Sequence, residues 1–104
     1  MKFISQLLIA LALCVGTIAT PALAGDTDPL FVNLTSDDSH RANMAITFGG
    51  NQHERGHPLT IFLHDRGVLI GSKANSAKFA DHQKALSELM SKGATVLICP
   101  MCMK

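Results

Sequence analysis

Three short apolar runs, Leu30 to Leu34, Leu59 to Leu63 and Ala94 to Ile98, recur along the chain with helix-like stretches between them, and this alternation constrains the fold more than any other feature. Strands that alternate with helices pair in parallel through right-handed crossovers. After the first run, Thr35 to Ser39 is a cluster of capping residues, and Ala42, Ala45, Ile46 and Gly49 then recur at helical spacing. The pattern predicts a helix from about Ser39 to Arg55, stopped by Gly56 in the left-handed position and by Pro58, which cannot continue it. A second helix is expected from Lys78, with Phe79, Leu86, Leu89 and Met90 on one face and Gly93 at its end. The intervening stretch from His64 to Ala77 carries the apolar trio Val68, Leu69 and Ile70, and is expected to fold back over the body or to meet a neighbour.

Ligands of open parallel sheets sit beyond the carboxyl ends of the strands. Three loops therefore converge on the edge that matters: Thr35 to Ser39, His64 to Gly67, and Cys99 to Cys102.

The N-terminus has a different character. Met1 and Lys2 precede an apolar run from Leu7 to Val15, and Ala22-Leu23-Ala24 supplies the small-residue pattern of a signal peptidase site. Residues 1–24 are thus expected to be an export signal, cut between Ala24 and Gly25, and residues 25–104 a single domain, periplasmic or secreted. The apolar run is too short for a transmembrane helix of about 20 residues. Cys14 lies within this signal and follows Leu13, where a lipid-attachment site wants a small residue.

A domain of this size folds alone but stays marginally stable, so association with other subunits is expected to help it. Eight of the nine Lys and Arg residues and all eight acids follow Ala24, which leaves the mature chain formally neutral. Scattered basic residues and the absence of Trp and Tyr argue against nucleic-acid binding.

Only Cys99 and Cys102 survive cleavage, too few for a disulfide scaffold. Cys99 ends the third strand, where a thiolate can act, although no long helix follows to lower its pKa. The CxxC spacing admits a redox dithiol or half of a metal site. A thioredoxin-like site would place CxxC at the start of a long helix, which is lacking. His53 and His57 could add zinc ligands at i, i+4, but they fall at the opposite edge of the sheet. Cys99, Cys102, Met101 and Met103 together form a soft donor set better suited to Cu(I) than to zinc, and this is the rival reading of the C-terminus. His82 reads as a packing residue on its helix, His40 and His64 as candidates for proton transfer, and Asp37 and Asp38 as helix caps.

The pattern resembles the DsrE/DsrF-like family of small sulfur-metabolism proteins. Its carriers are Val32-Asn33-Leu34-Thr35-Ser36-Asp37-Asp38 with Arg41-Ala42, then Gly56-His57-Pro58 leading into Leu59 to Leu63, then Gly67-Val68, and finally Lys92-Gly93-Ala94 through Ile98-Cys99-Pro100-Met101-Cys102. The resemblance implies an α/β fold of three layers, α/β/α, flavodoxin-like with a small parallel sheet. It also implies homo- or hetero-oligomers and a cysteine that carries a persulfide sulfur. Cys99 matches that cysteine, while Cys102 has no general counterpart and is read as a possible resolving thiol.

The expectation is therefore an exported carrier of sulfane sulfur, sulfur-transferase-like at most, which needs no cofactor and exchanges sulfur with a thiol or persulfide partner. Its rivals are a Cu(I) or zinc module built on the CxxC and an oligomer subunit without catalysis.

Overall fold

The computed structural model describes residues 25–103, together with the single residue Gln6. The signal segment, its cleavage site and Cys14 lie outside the described residues.

The strands form where the sequence places them: β1 (Leu30–Leu34), β2 (Leu59–Leu63) and β3 (Thr95–Ile98). They join in one parallel sheet of order β1-β2-β3, with Leu30 beside Leu59 and Leu63 beside Ile98. Between β1 and β2 runs α1 (Ser39–Glu54). The segment between β2 and β3 contains the single-turn helix α2 (Val68–Gly71) and the longer α3 (Ala80–Ser91).

Because the strand order never reverses, two right-handed crossovers in the same direction put α1 and α3 on the same face of the sheet. The core lies between them. Ala42 and Ile46 of α1 and Leu86 and Leu89 of α3 close over Leu34, Leu59, Ile61 and Leu63, with Phe79 and Ile70 fully buried beside them. The fold is α/β with a small parallel sheet. Of the three layers the resemblance implies, the described residues supply the sheet and one helical layer.

The other sheet face shows Phe31, Phe62 and Leu97, with Phe31 and Phe62 in tilted contact at 6.2 Å between ring centroids.

Local chemistry explains the helix limits. Asp38 caps α1, its carboxylate accepting the Arg41 amide at 2.9 Å. At the other end, the Gly56 and His57 amides donate to the carbonyls of His53 and Gln52. Gly93 and Ala94 close α3 in the same way, on Met90 and Leu89. This arrangement needs a left-handed residue, and Gly56 and Gly93 supply it at φ +100° and +102°. The helix expected to begin at Lys78 begins at Ala80, because the turn that buries Phe79 precedes it.

The segment from His64 to Ala77 folds back onto the helical face. Val68 and Ile70 are buried, and the Gln83 side-chain amide satisfies the carbonyls of Ile70 and Ser72 at 3.0 Å each.

Candidate functional site at the carboxyl edge

All three loops anticipated from the sequence meet at the carboxyl ends of the strands. Cys99 continues β3, its amide donating to the Leu63 carbonyl at 2.9 Å, and retains only 9% of its surface. Directly after it, residues Pro100–Met103 wind into a 3-10 turn. This turn brings Cys102 back so that its S–H donates to Cys99 Sγ at 2.6 Å.

The same turn corrects an expectation. No long helix follows Cys99, yet its pKa lies below the usual thiol range. The Cys102 S–H contributes most, and the amides of Cys102 and Met101 add to it, against the opposing effect of burial. A hydrogen bond to the sulfur favours the charged form, whether it comes from a thiol or from the backbone. The overlooked signal is Pro100, whose fixed φ and missing N–H suit the first position of a helical turn. Cys102 moves the opposite way: its role as donor to Cys99 raises its pKa, partly countered by the Asp65 amide.

That amide comes from an unusual backbone. Asp65 has φ +52° and is the one residue other than glycine with positive φ among the described residues. Such a conformation costs on the order of 1 kcal/mol or more, so the surrounding turn must hold it. Gly67 helps to do so. A Cβ there would collide with the Leu34 carbonyl, so the turn can lie against the end of β1 only with glycine at this position.

Asp37, read as a helix cap, does other work. Its two carboxylate oxygens accept from Arg66 Nε and Nη2 at 3.0 and 2.8 Å, tying the loop after β1 to the loop after β2. The guanidinium holds Asp37 below its ordinary carboxylate range. Asp65, Arg66, Val68, Leu69 and Cys102 line an open cavity of about 300 Å³. A small molecule entering it meets Cys102 before Cys99. Sequence reading placed the 64–67 loop at this edge but did not single out Asp65 or Arg66.

The histidines divide by edge. His64 is at the carboxyl edge, its ring stacked on Phe62 at 4.6 Å and its Nε2 bonded to Asn33 Oδ1 at 3.1 Å. His40 is exposed at the start of α1. His53 and His57 lie at the amino edge, where His53 Nε2 is 3.0 Å from the Lys92 carbonyl and His57 Nδ1 is 2.8 Å from that of Asp28. They are not brought to the thiols. His82 packs edge-on against Phe79 and bonds the Ser39 carbonyl at 2.9 Å, as a packing residue would.

Met101 and Met103 are both exposed, and no group of three or more His, Cys, Asp or Glu that could hold a metal occurs among the described residues. No helix among the described residues is long and apolar enough to cross a membrane.

A small parallel α/β sheet with two neighbouring cysteines beyond its carboxyl edge is the arrangement the described residues define. The sequence model of the DsrE/DsrF-like family matches residues 30–104, and the chain belongs to that family. No curated protein and no solved structure matches it. Membership suggests a part in sulfur relay, and members of the family often form oligomers.

Proposed function

We propose that the protein carries sulfane sulfur on Cys99, with Cys102 as the resolving thiol. One observation carries this reading. Cys99 Sγ, at the end of β3, receives the Cys102 S–H at 2.6 Å, a setting that favours its thiolate.

The thiolate attacks the outer sulfur of a persulfide donor, the donor's S–S bond breaks, and the donor leaves as a thiolate with the electron pair. An acceptor thiolate then attacks the terminal sulfur and returns Cys99 to its thiolate. Alternatively, the Cys102 thiolate attacks the inner sulfur, closes a Cys99–Cys102 disulfide and expels hydrosulfide, after which a thiol reductant restores the dithiol. The carrier is exported, with residues 1–24 as its signal, and works with a thiol or persulfide partner. In an oxidising compartment Cys102 limits the lifetime of the bound sulfur.

The test is labelling with a persulfide donor followed by intact mass measurement with and without reductant. Cys99→Ser should abolish the reductant-labile gain of one sulfur, and Cys102→Ser should preserve or prolong it. Equal loss in both variants would sink the single-carrier assignment. Copper retained through native mass measurement, and lost in either variant, would favour the metal module instead. The same measurement dates the export step, because a mass that includes residues 1–24 would place the protein in the cytoplasm.

A further inference from the structure

His64 is held from two sides at the carboxyl edge. Its backbone is extended, at φ −143° and ψ 170°, so β2 keeps its alternation through this position and the ring falls on the same face as Phe62. There it stacks on Phe62, with 4.6 Å between ring centroids and 17° between planes. Its Nε2 is 3.1 Å from Oδ1 of Asn33, the β1 residue registered beside Phe62.

That hydrogen bond also sets the tautomer. An amide oxygen only accepts, so Nε2 carries the proton and Nδ1 keeps the lone pair that makes the neutral ring a base. Phe62 and Asn33 together leave the ring little freedom to turn.

On the other side of β2, Leu63 is registered beside Ile98, and the Cys99 amide on the Leu63 carbonyl carries the pairing one residue further. Residue 99 is therefore the β3 neighbour of residue 64. Val96 and Ile98 line a groove on the helical face with Leu86 and Met90, so Leu97 and Cys99 take the other face, the one that carries Asn33, Phe62 and His64. Neighbouring strands lie about 4.8 Å apart, which puts a ring and a thiol at paired positions within reach of each other. Asn33, His64 and Cys99 thus follow one another across three adjacent strands.

We propose that His64 is the catalytic base of the Cys99 thiol and that Asn33 positions its ring, a role in sulfur transfer that rests on the reading of Cys99 as the carrier. Nδ1 takes the proton of the Cys99 S–H, and the thiolate attacks the outer sulfur of a persulfide donor. The donor's S–S bond breaks, and its inner sulfur leaves with the electron pair and takes the proton back from the imidazolium. The products are a persulfide on Cys99 and the donor thiol, with no net oxidation. Throughout, Nε2 keeps its bond to Asn33, which stabilises the imidazolium where it forms. Cys102 is unsuited to this part, because its S–H is itself a donor to Cys99. Of the carboxylates at this edge, Asp37 is spent on Arg66 and Asp65 lies on the turn beside Cys102.

Two reactions read at Cys99 by peptide mass test this: alkylation by iodoacetamide, which needs only the thiolate, and sulfur uptake from cysteine persulfide. His64→Ala should slow sulfur uptake by about a hundredfold. It should slow alkylation near neutral pH by about tenfold, a deficit that vanishes in alkaline solution, where the thiol ionises unaided. Added imidazole should restore part of both rates. Asn33→Ala should show a smaller deficit, and Asn33→Asp, which still accepts from Nε2, should keep the wild-type rates. Wild-type alkylation in His64→Ala, or a deficit that persists in alkali and ignores imidazole, would overturn the proposal. Should His64→Ala fail to fold, the two Asn33 variants decide, and equal rates in both would overturn it. If wild-type Cys99 takes up no sulfur while His64 still governs its alkylation, the carrier reading falls and the pairing of His64 with Cys99 stands.

Discussion

The amino and carboxyl ends of this sheet use similar residues for different purposes. At the amino ends, polar groups are spent on backbone. His53 bonds the Lys92 carbonyl, His57 that of Asp28, and Gly56 and Gly93 turn the chain out of α1 and α3. At the carboxyl ends, polar side chains meet one another: Arg66 with Asp37, His64 with Asn33, Cys102 with Cys99. The cause is topological. In a parallel α/β unit every helix ends at the amino edge, where its last carbonyls need partners, and the carboxyl edge is left for loops whose side chains are free to face each other. A histidine or cysteine is therefore read by its edge first and its type second.

The sharpest way to break the comparison is at Gly67. Gly67→Ala drives a methyl into the Leu34 carbonyl, and the loss of stability should reach about 3 kcal/mol, at the upper end for overpacking a tight site. Thermal melts would show it, and an unshifted midpoint would mean that the 64–67 loop can retreat from β1.

Next comes the amino edge. Gly93→Val meets no neighbour within 4 Å, so its effect is that of a β-branched residue at φ +102°, roughly 1–2 kcal/mol in the same melts. His53→Ala should cost about 1 kcal/mol by freeing the Lys92 carbonyl and loosening α1 from α3, while leaving thiol reactivity unchanged. A change in Cys99 alkylation in this variant would contradict the separation of the two edges.

Two smaller effects belong to the carboxyl edge. Cys102→Ala removes the largest contribution that lowers the Cys99 pKa, so the midpoint of its alkylation rate against pH should move upward, with little change in melting temperature. The Asp37 carboxyl is held low in the folded state, so its contribution is present above its unfolded pKa and lost as pH falls through the lower folded value. Below about pH 4 the wild-type protein should therefore lose stability that Asp37→Asn has already lost, and the two acid-unfolding curves should converge there. The difference is small because Arg66 is largely exposed to solvent and Asp37 partly so.

Much of this molecule was legible in the amino-acid sequence because the signals are local. The three strands appear as apolar runs, Asp38 as a cap, and Gly56 and Gly93 as left-handed stops; each depends on a few neighbouring residues whose backbone has little choice. The edge on which Cys99 lies follows from the alternation alone. The tertiary structure decided the rest.

Asp37 could have capped α1 like Asp38, but Arg66, nearly thirty residues away, claims it. The Cys102 pKa depends in part on the Asp65 amide, which only the folded sheet edge brings beside it. Both helices lie on one face because the strands add in the same direction, and that order is chosen by pairing between distant segments. Short-range patterns fix which elements form, whereas strand order, and with it every contact between loops, is set by packing between parts of the chain that no local pattern relates.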